Sequence, residues 1–278
     1  ILHVTNFNER HDGRLFFNTG RRLNNGFIRL GHSVLEFSDR DIIKHYKSIK
    51  DYTGANTLNE KLINTVYNYK PDLLIFGHAD LIKDSTLSYL KDNYKDLKIA
   101  QWFLDPLIKG GPDYEKNRNR ILDKIEFTDA NFITTSPDVL KFLPKKKLCL
   151  FMPNPTDSSF EILNNYENNN CSMDVFFALS HGVHRGILKK GKFDERADFV
   201  NKLVEITPNV KFDLYGINNI QPIWADTFLK SISNAKMGVN LSRGNPIKYY
   251  SSDRITQLIG NGLLTFIHSD TYYNNFFS

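Results

Sequence analysis

Short apolar runs alternate with longer amphipathic stretches along the chain. The apolar runs are about five residues long, as is typical of buried parallel strands, and the stretches between them have the periodicity of helices. This alternation predicts βαβ units and a parallel sheet. In the first half, the predicted strands are residues 1–5, 33–37, 72–76, 97–103, 130–134 and 147–152, and the predicted helices include 19–30 and 58–69.

The alternation is interrupted once, near residue 155. Pro153-Asn154-Pro155 breaks the chain, and residues 156–172 are rich in Asn, Ser and Glu, a composition typical of a connection between domains. We therefore predict a first domain over 1–153, a linker over 154–172 and a second domain over 173–278. In the second domain, the predicted strands are 174–179, 210–214, 237–241 and 263–267, and the predicted helices are 193–205, 226–234 and 252–259.

The predicted fold class is α/β, with two Rossmann-like, doubly wound domains that face a cleft. In open parallel sheets, ligands bind at the carboxyl ends of the strands. Functional residues are therefore expected in the segments that follow the strands. These segments are residues 6–18, 77–83, 104–113, 180–192, 215–222 and 242–252.

Composition and charge narrow the class of protein. None of the uncharged apolar runs approaches the roughly 18 residues that a membrane helix needs. The net charge of +5 favours anionic partners such as nucleotides, but the basic residues form no long run, so nucleic acid is not an expected partner. The two cysteines, Cys149 and Cys171, have no metal-ligand spacing and cannot form a disulfide framework, so a reducing, cytoplasmic compartment is expected.

Two segments of the first domain contain candidate catalytic residues. The loop after the first strand contains His11, which can act as a general base near neutral pH. The fourth strand is followed by Asp105, a carboxylate that can accept a hydrogen bond or a proton at the cleft. A merely solvated histidine and an aspartate that caps a turn are the alternatives. His78 and Asp80, after the third strand, pose the same choice.

The second domain has the stronger pattern. Residues 180–186 (SHGVHRG) combine small residues, which allow close approach of the backbone, with the positive charge of Arg185. A diphosphate needs several hydrogen-bond donors and at least one cation, and Lys189, Lys190 and Arg196 lie nearby in sequence. His181 and His184, without a clustered carboxylate or cysteine, are weak evidence for a metal, so no metal site is predicted.

Residues 240–254 join a buried strand to a helix and are crowded with polar and cationic side chains. Arg243, Lys248 and Arg254 are costly to bring together there unless something is bound. The alternative is a capped helix preceded by a loop whose polar side chains bind no ligand. Ser251 or Ser252 is the predicted N-cap, which would bring the free N–H groups of the helix to a phosphate site.

Three short segments resemble the GT-B glycosyltransferases of group 1, and most of all the branch with the spore-maturation CgeB-like proteins. Residues 151–157 (FMPNPTD) are similar to the interdomain PNGVD segment, with Pro155 at the usual glycine. Residues 254–262 (RITQLIGNG) resemble the RxFEIxACG helix before the last donor-site strand. Residues 102–105 (WFLD) resemble the W..D at a strand end of the first domain. With the alternation, the resemblance spans nearly the whole chain.

The resemblance implies that the second domain binds a nucleotide sugar, with a UDP- or GDP-sugar favoured, and that the first domain binds the acceptor. Arg185 and Arg254 would face the diphosphate of the donor. The predicted catalytic residues are His11 and Asp105. The predicted donor-binding residues are Ser180, Gly182, Arg185, Tyr215, Gly216, Asn240, Ser242, Arg243, Lys248, Ser252, Asp253, Arg254 and Gln257.

The chain departs from the family pattern at two positions. Many retaining members have two glutamates separated by seven residues, where Tyr249 and Gln257 stand here, so the stereochemical outcome and the catalytic base stay open. Metal independence is implied, because helix dipoles and basic residues neutralise the leaving diphosphate, and no cofactor is predicted.

Family members end with helices that cross back to the first domain. These helices are expected to be missing after Ser278.

The expected function is that of a glycosyltransferase that moves a sugar from a nucleoside diphosphate to a hydroxyl acceptor, a cell-envelope glycan or lipid. The expected location is the cytoplasm or the inner face of the membrane, where a basic face of the first domain would touch anionic lipid. Two alternatives stay open. One is a GT-B sugar-nucleotide epimerase, and the other is a catalytically silent nucleotide-sugar-binding or scaffold protein, which the missing glutamate pair favours.

Overall fold

The chain forms two compact units, Ile1–Pro155 and Thr156–Ser278. The computed structural model describes residues 1–111, 113–180 and 194–277. Each unit contains its own parallel β-sheet with helices, which confirms the predicted α/β class. In the described part of the chain, none of the helices is both long and apolar enough to cross a bilayer.

The first unit has a six-stranded sheet in the order β2-β1-β3-β4-β5-β6, and all its strand pairs are parallel. The chain leaves β1 toward one edge and then returns to its other side, so the strand order reverses between β1 and β3. Such a reversal opens a crevice at the carboxyl ends of the strands. The strands are β1 Leu2–Thr5, β2 Leu35–Ser38, β3 Leu73–Phe76, β4 Lys98–Phe103, β5 Ala130–Ile133 and β6 Cys149–Phe151.

Among the described residues, five α-helices connect these strands. The first helix begins after Asn18, whose Oδ1 accepts from the backbone N–H of Arg21 at 3.1 Å. The third helix ends at Tyr69, and its C-cap residue Lys70 has a left-handed conformation just before Pro71. The helices are α1 Thr19–Arg29, α2 Asp39–Tyr46, α3 Ala55–Tyr69, α4 Asp84–Asn93 and α5 Tyr114–Ile125.

Alternating residues of the central strands separate two apolar layers. Leu74 and Phe76 of β3 pack with α3 and α4, whereas Ile75 between them packs on the opposite side with Leu23 and Phe27 of α1. Because both faces of a doubly wound sheet are covered, its strands are apolar almost throughout.

A buried polar chain crosses the layer beside α1. The indole N–H of Trp102 donates to Nε2 of His3 at 3.1 Å, so the proton of the neutral ring lies on Nδ1, 3.4 Å from Oδ1 of Asn24. Asn24 in turn donates to Glu36 at 2.9 Å. Burial lowers the pKa of His3 to about 4, although the hydrogen bond to Asn24 opposes the shift.

The second unit has a four-stranded sheet in the order β10-β9-β7-β8, also parallel. Its strand order reverses at β7, which lies between β8 and β9. Phe177 of β7 packs with Val200 of α6, and Phe176 packs on the other side with Leu258 of α8. The elements are β7 Met173–Ala178, α6 Glu195–Ile206, β8 Phe212–Tyr215, α7 Ala225–Ile232, β9 Ala235–Asn240, α8 Arg254–Gly260 and β10 Leu264–Ile267.

Most of the segment predicted as a linker packs within the second unit. Asn165 is buried, and its amide donates to the carbonyls of Ile232 and Ala235 at 2.7 and 2.8 Å. Oδ1 of Asn261 accepts from the backbone N–H groups of Ile162 and Leu163. Hydrogen bonds therefore tie this segment to the end of α7, the start of β9 and the end of α8.

Candidate functional site

Charged side chains meet at the carboxyl ends of β3 and β4. Nε2 of His78 lies 3.2 Å from the carboxylate of Asp105. Arg120 contacts both Asp105, at 3.3 Å, and Asp80, at 2.7 Å. Arg40 lies 3.6 Å from Asp80. We name these five residues the first-unit charge cluster.

Backbone geometry brings the cluster together. A Cβ atom on Gly77, just after β3, would lie 2.4 Å from Oγ1 of Thr5 and 2.9 Å from the Trp102 ring, so only glycine allows this approach. Ala79 is buried with a φ of +44°, which is uncommon for a residue other than glycine. With this turn between them, the side chain of His78 contacts Asp105 and that of Asp80 contacts Arg120.

Helix α5 supplies the central cation of the cluster. Asn117 donates to the carbonyl of Pro106 at 2.9 Å, which ties the loop after β4 to the first turn of the helix. The buried face of α5 carries Asn117, Ile121, Lys124 and Ile125. Arg120 lies one turn after Asn117, where its guanidinium reaches the loops after β3 and β4.

The cluster holds His78 as a neutral ring at pH 7. Burial lowers the pKa of His78, Asp105 opposes this shift, and Arg120 adds to it. For Asp80, burial raises the pKa, but the hydrogen bond and charge of Arg120 outweigh that effect and bring the pKa below its usual value. The arrangement therefore combines a neutral imidazole, which can accept a proton, with an ionised carboxylate.

Asp39 lies beside the cluster at the start of α2. It is only 2% exposed, and its Oδ1 has no hydrogen-bond partner among the described residues. Burial raises the pKa of Asp39 to about 6, although the charge of Arg40 opposes the shift. Lys124 is buried as well; burial lowers its pKa, and Asp80, Asp123 and Asp39 oppose that shift.

The two predicted catalytic residues have different neighbours. His11 ends a 3₁₀ turn, Glu9–His11, in which Asp41 accepts from the backbone of Glu9 and Arg10. Its Nδ1 lies 3.4 Å from Arg14, and burial, Arg10 and Arg14 together lower its pKa. The partners of Asp105 in the described residues are Arg120 and His78, and the sequence left His78 undecided between a solvated and a functional residue.

Four predicted donor-binding residues form one network at the carboxyl ends of β7 and β9. The Asn240 amide donates to Ser251 at 2.6 Å and accepts from Ser252 at 2.9 Å, and the Ser252 N–H donates to Ser242 at 3.0 Å. Arg254 donates to the carbonyl of Ala178 at 2.9 Å and to that of Leu241 at 3.1 Å. These hydrogen bonds fix the ends of loop 242–252.

This network corrects the predicted start of the last helix. Ser251 and Ser252 do not cap α8, because their hydroxyls bond to Asn240. Asp253 occupies the N-cap position, without a side-chain capping bond, and the helix has seven residues. Burial, reinforced by Arg196, lowers the pKa of Arg254 to about 10, so the guanidinium stays charged at neutral pH.

A cavity of about 450 Å³ lies beside the first turn of α6, at the carboxyl ends of β9 and β10. Its walls include the aromatic rings of Phe199, Tyr250 and Phe266, together with polar side chains of Asn240 and Ser242. Its cation, Arg196, pairs with Asp194 through bonds of 2.6 and 2.9 Å. Among the described lining residues, the cavity therefore offers apolar surface and hydrogen bonds rather than an unbalanced positive charge.

Two predicted residues at the end of β8 have internal roles. The hydroxyl of Tyr215 accepts from Ser231 at 3.1 Å, and burial raises its pKa. Gly216 has a φ of +74°, and a Cβ there would lie 1.9 Å from the carbonyl oxygen of Leu179. Close packing between the ends of β7 and β8 therefore requires this glycine, whether or not a ligand binds.

The remaining predicted donor residues are spread over the second unit. Ser180 is exposed at the end of β7, and Arg243 is exposed in loop 242–252. The ammonium of Lys248 lies 5.1 Å from the centre of the Tyr249 ring. The backbone carbonyl of Gln257 accepts a hydrogen bond from the side-chain amide of Asn261, the residue that follows α8. Gly182 and Arg185 lie outside the described residues.

Sequence reasoning did not find Arg120, Arg40, Asp39 or Lys124. One signal was present, because Asn117 and Lys124 occupy the same helical face as Ile121 and Ile125. Polar residues on an otherwise apolar helical face indicate contact with polar groups in the sheet or its loops. The position of Arg40 beside Asp80 depends on a long-range contact between α2 and the loop after β3, for which the local sequence has no pattern.

Comparison with known proteins gives structural similarity alone. None of the protein-family models matches the chain, and none of the curated protein sequences does. Among solved structures, the UDP-GlcNAc 2-epimerase from Neisseria meningitidis bound to UDP-GlcNAc aligns over 98% of this chain and 88% of its own, with 13% identity and a TM-score of 0.42. The glycosyltransferase SnogD from Streptomyces nogalater aligns over 95% and 79%, with 13% identity and a TM-score of 0.44. No residue role follows from similarity at this level.

Proposed function

We propose that this chain is a glycosyltransferase that moves a sugar from a nucleoside diphosphate sugar to a hydroxyl acceptor. The observation that carries the proposal is the cavity beside α6. It lies at the carboxyl ends of parallel strands, where such sheets bind ligands, and its volume is in the range of small-molecule sites. Its aromatic walls suit a nucleobase, and its polar groups suit a ribose.

The network around Arg254 supports a positioning role for loop 242–252. Asn240, Ser242 and Ser252 hold the loop by hydrogen bonds among themselves, and Arg254 ties its base to two strand ends. A rigid loop presents its backbone N–H groups in one geometry, as recognition of a diphosphate requires. In this proposal the side chains act through the shape of the loop.

We assign the acid–base step to His78, with Asp105 as the residue that orients it. As the acceptor oxygen bonds to the anomeric carbon, the bond from that carbon to the diphosphate breaks, and the hydroxyl proton must leave. A neutral imidazole accepts this proton, and an adjacent carboxylate stabilises the imidazolium that forms. The pKa of His78, lowered by burial, keeps the ring neutral at pH 7. The catalytic role of His11 stays a prediction.

The first experiment is a thermal-shift panel of UDP, GDP, CDP, dTDP and CMP, with and without EDTA. A ligand at about a hundred times its Kd adds roughly 2.7 kcal/mol of stability. We expect one diphosphate to raise the melting temperature selectively and EDTA to leave the shift unchanged. In the described part of the chain, no group of three or more His, Cys, Asp or Glu side chains forms a metal site. A flat response across the panel contradicts the proposal.

A matched pair of variants assigns the shift to the cavity. Phe266→Ala removes one aromatic wall and is expected to weaken nucleotide binding about tenfold, since a base–aromatic contact contributes about 1–3 kcal/mol. Leu264→Ala changes another exposed apolar residue of the same strand that lies outside the cavity, and should leave binding unchanged.

Turnover separates the transferase from its alternatives. A transferase consumes the nucleotide sugar only when a hydroxyl acceptor is present. Conversion of the nucleotide sugar to its epimer, or hydrolysis that releases free nucleotide without an acceptor, identifies the epimerase, and binding without turnover identifies the scaffold protein. A cell-envelope glycan or lipid as acceptor, and a location at the inner face of the membrane, stay predictions that acceptor screening and binding to anionic vesicles test.

A further inference from the structure

The end of α2 and the loop after it contain three consecutive triplets of the same kind. Residues 44–52 read KHYKSIKDY, so that a lysine begins each triplet and an apolar or aromatic residue ends it. Ile49 is fully exposed, Tyr52 is 84% exposed and Tyr46 is 40% exposed. The three lysines are exposed as well, namely Lys44, Lys47 and Lys50. We name residues 44–52 the triplet segment, and the transfer reaction proposed above uses none of it.

Hydrogen bonds give the middle of the triplet segment a fixed shape. The backbone N–H of Ser48 donates to the carbonyl of Asp51 at 3.1 Å, and the N–H of Asp51 donates to the Ser48 hydroxyl at 3.1 Å. The closed turn has Ile49 and Lys50 at its tip. Three exposed apolar side chains within seven residues, one of them held at the tip of a turn, mark a contact surface rather than scattered exposure.

The triplet segment is positively charged, because its single carboxylate is engaged within the first unit. Oδ2 of Asp51 accepts from a backbone N–H in the first turn of α3 at 2.8 Å. Lys61 of α3 adds a cation, with its ammonium 4.4 Å from the centre of the Tyr46 ring. The carboxylate of Asp41, one turn earlier in α2, pairs with Arg10 at 2.7 Å. The segment therefore presents cations and apolar groups side by side.

The flanks of the triplet segment are held against the core of the first unit. Ile42 and Ile43 of α2 pack against that core. After the segment, Gly54 brings the chain back to α2, where a Cβ atom on this glycine would lie 2.8 Å from the carbonyl oxygen of Ile43. The tip of the turn can therefore enter another phase without any loss of core packing.

We infer that the triplet segment is a docking surface for a membrane that contains anionic lipids, with Ile49 inserted among the headgroups. A lysine near an anionic bilayer strengthens binding about fivefold, which corresponds to about 1 kcal/mol. Tyrosine favours the interface between headgroups and acyl chains, and insertion removes the apolar surface of Ile49 from water. Binding to lipid requires neither a nucleotide nor an acceptor, so this surface goes beyond the proposed function.

The aliphatic tip distinguishes a bilayer from a nucleic acid as the partner. Lysines beside exposed tyrosines would also suit single-stranded RNA, whose bases stack on aromatic rings. RNA would leave Ile49 in water, because an aliphatic side chain offers no ring to a base. A bilayer takes up the lysines, the tyrosines and the isoleucine together, and it receives a projecting turn without a complementary groove.

The test is co-sedimentation of the full chain with vesicles of phosphatidylcholine, alone or mixed with phosphatidylglycerol in a ratio of about two to one. At about 0.1 M salt, where the Debye length is about 10 Å, we expect at least about tenfold tighter binding to the anionic vesicles, and weaker binding as salt rises. Equal binding to both kinds of vesicle, or no binding to the anionic kind, overturns the inference. Binding to single-stranded RNA and to neither kind of vesicle overturns it in favour of a nucleic-acid surface.

A matched pair of double variants assigns the charge effect to the triplet segment. Lys47→Gln with Lys50→Gln should weaken binding to anionic vesicles about 25-fold, at about fivefold for each lysine. Lys145→Gln with Lys146→Gln removes the same charge from exposed residues before β6, at the other edge of the sheet from β2, and should stay within about twofold of the parent chain. Equal losses in the two double variants would show that only the net charge matters and would contradict the inference.

Insertion of the tip is tested at Ile49. Ile49→Ala should weaken vesicle binding about tenfold, whereas Leu148→Ala, at another exposed apolar residue of the first unit, should leave it unchanged. Ile49→Trp should keep the binding and shift its added fluorescence to shorter wavelength on anionic vesicles, and Leu148→Trp should show no such shift. An emission of Ile49→Trp that does not respond to vesicles contradicts insertion. All four changes are at exposed side chains, and an unchanged melting temperature checks that the fold is retained.

The outcome is distinguishable from that of the proposed function. Vesicle binding is measured without nucleotide, and the thermal-shift panel is measured without lipid. A chain that binds anionic vesicles through the triplet segment and binds no nucleotide refutes the transferase and leaves the membrane surface standing. Selective nucleotide binding without vesicle binding has the opposite consequence.

Discussion

At the scale of single residues, two buried titratable groups give the stability of the first unit opposite dependences on pH. His3 is held neutral between Trp102 and Asn24, with a folded-state pKa of about 4. Burial raises the folded-state pKa of Asp39 to about 6, so its carboxyl is mostly protonated below pH 6. In the unfolded chain these pKa values are about 6.5 and 3.9, so each group takes up its proton at a different pH after unfolding.

Substituting His3→Gln should remove a loss of stability at acid pH. As pH falls below about 6.5, the unfolded chain protonates His3 before the folded chain does, so stability falls until pH 4. A shift of this size corresponds to about 3 kcal/mol. Glutamine keeps a donor and an acceptor for Asn24 and Trp102. Urea unfolding of the parent and the variant at pH 7 and pH 4.5 measures the difference, and equal pH slopes would contradict the assignment.

Asp39→Asn should stabilise the first unit at neutral pH. The folded pKa is raised, so the stability associated with this group is present below about pH 4 and is lost as pH rises through 6. The variant should gain about 3 kcal/mol at pH 7.5, and the gain should vanish near pH 4. The same urea measurement checks it, with Asp92→Asn as the exposed control. A variant that is less stable than the parent at pH 7.5 refutes this account.

At the scale of elements, backbone contacts between strand ends determine where loops can run. The ends of β7 and β8 approach so closely that Gly216 has no space for a side chain. At the end of β3, the side chains of Thr5 and Trp102 fill the space that a Cβ atom on Gly77 would need. Both sites lie at carboxyl edges, where loops of different origin must pass next to each other.

Gly216→Ala should destabilise the second unit strongly. The new Cβ would lie 1.9 Å from the Leu179 oxygen in a left-handed backbone, and the two costs together should reach at least about 3 kcal/mol. Gly13→Ala is the control, since Gly13 has a φ of +79° but nothing within 4 Å of its Cβ position. It should cost its unit about 1 kcal/mol. Similar losses for the two variants would show that the contact with Leu179 is relaxed.

Helix α5 should control the titration of His78 through Arg120. Arg120→Gln removes a positive charge that lowers the pKa of His78 and frees Asp105 to pair with the ring. We expect the pKa of His78 to rise, as measured by NMR of the ring protons. Arg118→Gln changes a neighbouring arginine that pairs with Glu115 on the helix surface, and should leave this pKa unchanged. Equal titration in both variants would remove Arg120 from the electrostatics of the site.

At the scale of the whole molecule, the chain has one tryptophan in each unit, Trp102 and Trp224. Trp224→Phe leaves fluorescence that reports on the first unit, and Trp102→Phe leaves fluorescence that reports on the second. The proposed donor and acceptor sites lie in different units. Each ligand is therefore expected to act on one reporter.

The nucleoside diphosphate selected by the thermal-shift panel should stabilise the second unit alone. At about a hundred times its Kd, it should add roughly 2.7 kcal/mol to the transition that Trp224 reports and leave the transition of Trp102 unchanged. Urea titrations of the two single-tryptophan variants measure this. A shift of the Trp102 transition alone would contradict the assignment of the donor site to the second unit.

The sequence by itself determined the class of fold and most of its elements. The alternation of apolar runs and amphipathic stretches predicted ten parallel strands close to their observed bounds, because a strand covered on both faces must be apolar along its length. It also predicted helices such as 19–30 and 58–69. Their ends are marked by local signals in the sequence, namely capping residues and a proline. Asp105 was predicted as a residue at a strand end.

Tertiary structure alone decided which polar residues meet. Arg120, Asp80 and Arg40 come from separate elements, and their contact depends on how α5 and α2 lie on the sheet. From the local sequence, Ser251 and Ser252 could be interpreted as caps of α8. In the fold, the hydroxyls of both serines are hydrogen-bonded to the side chain of Asn240, eleven and twelve residues earlier. Local patterns follow from burial along one element, whereas side-chain partners depend on distances between elements, and these exist only in the folded chain.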